Sequence, residues 1–312
     1  MSDILIAPGH GGPMNGIVTE LQRLLATEHG QRTAAEIQSV GFNLDHAITE
    51  SIREPAPPNE WAQPIEYILG WLSWDALVDE GWQPVAVAGH SLGEFLSLAV
   101  SGAFSWSDGL HLVRQCGADM DQQARDRPSA MSAILGLTAS EAQEVCSSVL
   151  SNDEGCLQIA NINDQKQIVV SGDVHLVNAL ENRLATSDVA RAIRLNILGA
   201  AHSQLHRKSR LLNQAIRTTF LAEPSLPVYL STSPDPVRTS TQALDSIAGI
   251  LVRQVHWPRT LDRVVADYPD FKFRLAYPDR ALSKFLARRT QRRSHSRQLQ
   301  GPSPQLTNGG SA

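Results

Sequence analysis

The sequence contains little cysteine and no long apolar run. Its 3 cysteines form no C-x-x-C pair and leave one unpaired, so they indicate neither a disulfide framework nor a zinc site. No stretch approaches the roughly 18 apolar residues of a membrane span, and the start, MSDILIAPGHGG, does not have the pattern of a signal peptide. We therefore predict a cytoplasmic protein with no metal site and no membrane segment.

An excess of positive charge is also missing. The 27 Lys and Arg against 32 Asp and Glu give a net charge of −5, which excludes a basic field over the whole protein and hence nucleic acid as a partner. One region differs, because basic residues occur there without acidic ones: Lys284, Arg288, Arg289, Arg292, Arg293 and Arg297. The hydrophobic content of 42% in 312 residues suffices for one large domain or two modest ones.

Strand and helix signals alternate over the first part of the chain. The apolar run 3–7 predicts a buried strand that ends in a glycine-rich loop, 84–88 predicts a second strand, and 92–100 predicts the helix that follows. This alternation is typical of a mainly parallel sheet with helices on both faces, and we predict an α/β fold.

The pattern changes after residue 127. Strands are predicted at 130–135, 157–161, 167–171 and 192–197, and helices at 140–150 and 174–184. The order β-α-β-β-α-β is that of a ferredoxin-like unit, and strand–helix alternation resumes after about residue 198. The predicted division is therefore a large domain of residues 1–127 and 198–300, an inserted small domain of residues 128–197, and a disordered tail of residues 301–312.

The segment Gly89-His90-Ser91-Leu92-Gly93 matches the G-x-S-x-G pattern of a nucleophile elbow. It follows a predicted strand and precedes a predicted helix, which is the context that separates this motif from an ordinary tight turn. A serine at such a turn exposes its hydroxyl at a helix N-terminus, where developing negative charge is stabilised. Ser91 is therefore the candidate nucleophile.

Several segments resemble the malonyl-CoA:acyl-carrier-protein transacylase family, the acyltransferases of fatty acid and polyketide synthases. In chain order they are 8–11, 63–64, 89–95, 101–105, 112–114, 131–137, 159–163, 168–172, 201–203 and 251–254. They cover nearly the whole chain, from residue 4 to about residue 287. The resemblance implies an α/β-hydrolase-like large domain with a ferredoxin-like insert, in agreement with the predicted pattern of elements.

The resemblance also implies the reaction. The family's catalytic histidine matches His202 in Ala201-His202-Ser203, and it would activate Ser91 for attack on an acyl thioester. An acyl-enzyme would then pass its acyl group to a second thiol in a ping-pong sequence. The partners would be acyl carrier protein and, as another donor, acyl-CoA. Both carry phosphopantetheine, so no cofactor is expected.

The resemblance implies roles for four further residues. The backbone N–H groups of His10 and Leu92 would form the oxyanion hole, although the family usually has Gln at the position of His10. A backbone carbonyl near Gln254 would orient His202. Gln63 would lie in the acyl pocket.

The sequence departs from the family at the position that selects malonyl. Malonyl-selective members hold the carboxylate with an arginine in Leu-Val-x-x-Arg-Gly, whereas residues 112–117 read Leu-Val-Arg-Gln-Cys-Gly and place Cys116 there. Arg114 lies on another face of the helix and cannot substitute. Because an unpaired buried carboxylate costs several kcal/mol, we predict an uncharged acyl group, with room for a bulky one. Ala201 supports the same prediction, since many malonyl-specific members of the family have Phe at this position.

Alternatives remain open. One is an acyl-thioester hydrolase with the same Ser–His pair, a second is a malonyl transacylase whose carboxylate-binding residue has moved, and a third is a non-enzymatic docking module. The basic residues from Lys284 to Arg293 are predicted to attract an acidic carrier protein, and a solvated helix end is the other interpretation. The main prediction is an acyltransferase of polyketide or related natural-product assembly.

Overall fold

A computed structural model of the protein describes residues 2–53, 56–151, 153–207 and 209–287. In it the chain forms two β-sheets and the helices that pack on them. The strands are β1 (Ser2–Ala7), β2 (Ala86–Gly89), β3 (Ser129–Leu135), β4 (Leu157–Asp164), β5 (Gln167–Asp173), β6 (Arg191–Arg194), β7 (Val228–Leu230), β8 (Val255–His256) and β9 (Phe271–Leu275). The described residues up to Tyr277 form one compact unit, and the described residues 278–287 belong to a second, in which residues 280–287 are helical.

The helices of the first unit surround these strands. They are α1 (Met14–Leu25), α2 (Glu28–Ser39), α3 (Leu44–Ser51), α4 (Asn59–Asp79), α5 (Gly93–Val100), α6 (Trp106–Asp126), α7 (Ala139–Leu150), α8 (Val174–Leu184), α9 (Leu211–Thr218), α10 (Ser240–Gly249) and α11 (Trp257–Asp267). None of the helices in the described ranges has the length and apolar character needed to cross a bilayer.

The first sheet is parallel throughout, with the strand order β7-β2-β1-β9. Ile4, Leu5 and Ile6 of β1 are completely buried, as expected for a central strand with helices on both faces. The carboxyl ends of parallel strands share one edge of a sheet. The loops after β1, β2 and β7 therefore meet at that edge, where sites in open α/β folds form.

The second sheet has the order β6-β3-β5-β4-β8. Its first four strands are antiparallel neighbours in the arrangement of a ferredoxin-like unit, and α7 and α8 pack with them around a separate hydrophobic cluster. The predicted α/β fold class is thus confirmed. β8 comes from outside the predicted insert and pairs in parallel with β4. The division at residues 128 and 197 stays a prediction, and the predicted tail of residues 301–312 lies outside the described residues.

Helix α4 begins earlier than the sequence pattern indicates. The pattern predicts a start at Pro64, a favourable first residue of a helix, whereas α4 begins at Asn59 and contains Pro64 in its second turn. The carboxylate of Asp121 accepts the backbone N–H groups of Asn59 at 2.9 Å and Glu60 at 3.0 Å, and so caps the helix from α6. A cap from a residue this distant in sequence leaves no local signal.

Candidate active site

Ser91 and His202 meet at the carboxyl edge of the parallel sheet. The Oγ atom of Ser91 lies 2.7 Å from Nε2 of His202, although 111 residues separate the two in sequence. Their φ angles are 50° and 51°, and no other non-glycine residue in the described part of the chain has a positive φ. Left-handed backbone is unfavourable for such residues and occurs preferentially at functional sites. The contact and the strained backbone therefore mark the same two residues.

The turn that carries Ser91 requires glycine at both ends of its motif. β2 ends at Gly89 and α5 begins at Gly93. A Cβ atom on Gly89 would lie 2.6 Å from the backbone N of Glu94, and one on Gly93 would lie 2.1 Å from the carbonyl oxygen of Ala7. Both distances are far below van der Waals contact, so only glycine allows the turn to pack this closely against β1 and α5.

His202 is oriented as a general base. Its Nδ1–H donates to the carbonyl oxygen of Arg253 at 2.9 Å, which leaves the lone pair of Nε2 directed at the Ser91 hydroxyl. The side chain is buried, and loss of solvation lowers the pKa of His202 to about 4. At neutral pH the ring is therefore uncharged and able to accept a proton.

The backbone carbonyl predicted near Gln254 to orient His202 is that of the residue before it. The accepting oxygen belongs to Arg253, whose backbone N–H closes a turn onto Gly249. This turn directs the Arg253 carbonyl towards the ring of His202. The chain has already turned towards β8 at Gln254, and its side chain donates to the carbonyl of Ile159 on β4 at 3.0 Å. Gln254 therefore ties the loop to the second sheet.

The loop after β1 lies against the nucleophile turn. A Cβ atom on Gly9 would lie 2.6 Å from Nδ1 of His90 and 3.4 Å from Cβ of Ser91, so this loop approaches the turn at close range. Within the described ranges, the backbone N–H groups of His10 and Leu92 make no hydrogen bond. The N–H of Ser91 is already used, because it donates to Oγ of Ser231 at 3.0 Å. The two donors predicted for an oxyanion thus remain available.

The family profile of the acyl transferase domain matches residues 6–270. The chain belongs to the acyl transferase domain family. The malonyl CoA-acyl carrier protein transacylase of Synechocystis sp. is 27% identical over 269 residues, which are 84% of this chain and 85% of that protein. PksC of Bacillus subtilis, a polyketide biosynthesis malonyl CoA-acyl carrier protein transacylase, is 27% identical over 72% of this chain and 75% of its own length.

A solved structure has the same architecture. The malonyl-CoA:acyl carrier protein transacylase of Xanthomonas oryzae superposes with a TM-score of 0.79 at 26% identity, over 91% of this chain and 90% of that one. The predicted family and the predicted type of enzyme are confirmed, and the protein is an acyltransferase.

The residues predicted for the acyl pocket of the acyltransferase are all buried. Cys116 on α6 is 3% exposed, Gln63 on α4 is 3% exposed, and Ala201 precedes His202. Nε2 of Gln63 lies 3.1 Å from the sulfur of Met120, which places the facing sides of α4 and α6 in contact. Burial raises the pKa of the Cys116 thiol, so that it is protonated and uncharged at neutral pH.

Two residues that the sequence analysis missed make this region polar. Asn59 and Glu66 lie four residues before and three after Gln63, on one buried face of α4. Glu66 Oε2 lies 2.6 Å from Nδ1 of His10. Burial alone would lower the pKa of His10, but the charge and hydrogen bond of Glu66 raise it above its ordinary value. Polar residues at helical spacing in an otherwise apolar helix were the available signal.

Arg114 is engaged by residues at the start of α4. Its guanidinium donates to Oε1 of Glu60 at 2.9 Å and lies 4.7 Å from the ring centre of Trp61. Both interactions keep Arg114 at the start of α4. Of the residues predicted to attract a carrier protein, Lys284 is exposed. Outside the described residues are Arg288, Arg289, Arg292 and Arg293.

Proposed function

We propose that this acyltransferase moves an uncharged acyl group between the phosphopantetheine thiols of acyl carrier protein and coenzyme A, by way of an ester on Ser91. The observation that carries the chemistry is the 2.7 Å contact between Ser91 Oγ and Nε2 of a neutral, carbonyl-bound His202. Acyl carrier protein as the partner is supported by the names of the relatives, which are malonyl CoA-acyl carrier protein transacylases.

The proposed reaction uses groups of the protein alone, and no cofactor is required. Nε2 of His202 takes the proton of Ser91 Oγ while that oxygen attacks the thioester carbon. The N–H groups of His10 and Leu92 donate to the resulting oxyanion. As the carbonyl forms again, the C–S bond breaks and the leaving thiolate takes the proton from His202. A second thiol then gives its proton to His202 and attacks the ester carbon. The bond from that carbon to Ser91 Oγ breaks, and Oγ takes the proton back from His202, which restores the starting pair.

The uncharged acyl group is inferred from the cations around the predicted pocket. Cys116 carries no charge, and Arg114 is already paired with Glu60. The pKa of His10 is raised above its ordinary value by Glu66, and the 2.6 Å contact between Nδ1 of His10 and Oε2 of Glu66 already pairs this imidazole with a carboxylate. A buried carboxylate needs a cation of its own to offset its lost solvation, so these contacts support an uncharged substrate.

Malonyl transfer is the second candidate, and the names of the relatives favour it. It would require a cation that pairs with the substrate carboxylate, as His10 would if it exchanged Glu66 for that carboxylate. Hydrolysis of the acyl-enzyme uses the same residues and differs in whether water reaches the ester. Polyketide or related natural-product assembly, a cytoplasmic location and docking of the carrier protein at Lys284 and the arginines after it stay predictions from the sequence.

Intact-protein mass spectrometry after brief mixing with acyl-CoA donors tests the proposal. The expected result is a stable mass increase with acetyl- and longer uncharged acyl-CoA but not with malonyl-CoA, and none in Ser91→Ala. A chase with a carrier protein in its phosphopantetheine form should remove the adduct faster than buffer does. Rapid loading by malonyl-CoA would contradict the proposed specificity, and equal loss in buffer would favour the hydrolase.

A further inference from the structure

Glu94 is a buried carboxylate beside the nucleophile turn that the proposed reaction does not use. It lies in the first turn of α5 and is 1% exposed. Within the described residues it pairs with no basic side chain. Burial raises the pKa of Glu94 to about 7. Burying a carboxyl group costs free energy unless hydrogen bonds offset the lost solvation. Buried acids with strongly shifted pKa values cluster at functional sites.

The hydrogen bonds of Glu94 come from the two residues after β7. Oε1 accepts the hydroxyl of Ser231 at 2.7 Å and the backbone N–H of Thr232 at 2.8 Å. Oε2 accepts the hydroxyl of Thr232 at 2.7 Å. Because the hydroxyls of Ser231 and Thr232 both donate to Glu94, the carboxylate fixes the direction in which each hydroxyl proton points.

Ser231 transmits this orientation to the nucleophile. Since its proton is directed at Glu94, its oxygen presents a lone pair, and the backbone N–H of Ser91 donates to that oxygen at 3.0 Å. The backbone N–H of Ser231 donates to the carbonyl of Gly89 at 3.1 Å. Ser231 therefore binds the residues on both sides of His90 and holds Ser91 in its left-handed conformation.

We propose that Glu94 is a positioning residue for Ser91, acting through the Ser231 hydroxyl that holds the Ser91 N–H. The proposal rests on the proposed role of Ser91 as the nucleophile. In this proposal the Ser91 N–H donates to Ser231, so the donors to an oxyanion are the N–H groups of His10 and Leu92.

Thr232 provides a matched control for Ser231. Each residue gives one hydroxyl to the same carboxylate, but Thr232 has no hydrogen bond to Ser91. Ser231→Ala removes the acceptor of the Ser91 N–H, whereas Thr232→Val removes a bond of the same kind and leaves that acceptor in place. A general loosening of the buried cluster would affect both variants alike.

Labelling of Ser91 by a small fluorophosphonate measures the reactivity of the nucleophile without a carrier protein. Saturation kinetics separate the maximal labelling rate from the binding of the reagent. Ser231→Ala and Glu94→Leu should lower the maximal rate about tenfold or more, which corresponds to one hydrogen bond. Thr232→Val should stay within about twofold of wild type. Glu94→Gln retains an oxygen for Ser231 and should restore most of the rate. Thermal unfolding identifies any variant that does not fold.

The double variant tests the route of the effect. Because Glu94 acts through Ser231, Glu94→Leu should slow labelling no further once Ser231 is Ala. The proposal would be overturned if the two substitutions slow labelling in the double variant by the product of their separate effects. It would also be overturned if Ser231→Ala and Thr232→Val lower the maximal labelling rate equally. If Ser231→Ala fails to fold, the comparison of Glu94→Leu with Glu94→Gln decides alone, and equal rates would overturn it. Absence of labelling in the wild-type protein would instead refute the proposed function.

Discussion

The free energy of unfolding of Glu94→Gln, compared with that of wild type, should increase as the pH rises. Burial raises the pKa of Glu94 from 4.5 to about 7. As the pH rises through this window, the unfolded chain loses the Glu94 proton while the folded protein keeps it. The free energy of unfolding of the wild-type protein therefore falls, and the difference between the two pKa values corresponds to about 3 kcal/mol. Gln does not titrate and avoids this loss.

The assay is urea unfolding of both proteins at several values between pH 5 and pH 8. The stability of Glu94→Gln minus that of wild type should increase by about 2.5 kcal/mol over this range, the part of the 3 kcal/mol that falls within it. His202 has a lowered pKa and acts in the opposite sense, but it contributes equally to both proteins. Glu20→Gln is the control: Arg23 lowers the pKa of that half-buried carboxylate below its ordinary value, so its contribution to stability changes only below the range of the assay. The difference between Glu20→Gln and wild type should therefore stay level between pH 5 and pH 8. For Glu94→Gln, a difference independent of pH would refute the reasoning.

Three further outcomes are expected. His202→Ala should slow acylation of Ser91 by about 10³-fold or more in rapid-mixing mass spectrometry, because the base is lost, and a loss below tenfold would exclude this role. The rate of fluorophosphonate labelling should stay level between pH 5.5 and pH 8, since the pKa of His202 is about 4, and a midpoint near 6.5 would contradict that value. Glu66→Gln should lower the pKa of His10 in nuclear magnetic resonance spectra of its ring, whereas an unchanged pKa would show that Glu66 does not raise it.

Much of the fold could be predicted because its signals are local. The strand before Ser91, the helix after it and the β-α-β-β-α-β order of residues 128–197 follow from short apolar runs and turn residues. Helix α8 occupies the predicted residues, Val174–Leu184. The start of α4 at Asn59 could not be predicted, because its cap is a carboxylate on another helix. Local patterns describe a segment well when the segment satisfies its own hydrogen bonds.

The residues of the candidate site also differ in whether a local sequence pattern predicts them. Ser91 was predictable from its glycine neighbours, whereas His202 required a resemblance, since nothing near it in sequence connects it with Ser91. The resemblance predicts an orienting carbonyl near Gln254, and only the folded loop shows that it is the carbonyl of Arg253. Glu66 and Glu94 were missed. The spacing of polar residues along α4 signals that Glu66 is buried, but its partner His10 and the partners of Glu94, Ser231 and Thr232, are known only from the folded protein.

The sequence by itself predicted the nucleophile turn, because the motif is local and the steric limit at Gly89 is set by the nearby backbone of Gly93 and Glu94. The limit at Gly93 is set by Ala7 on β1 and belongs to the tertiary structure. That Cys116 stands where malonyl-selective members have arginine stays a prediction from the resemblance. The tertiary structure alone decided which groups act on Ser91. His202 is 111 residues from it and Ser231 is 140 residues from it. The physical reason is that hydrogen bonds depend on distance in space and burial shifts a pKa only in the folded protein, and a pattern along the chain specifies neither.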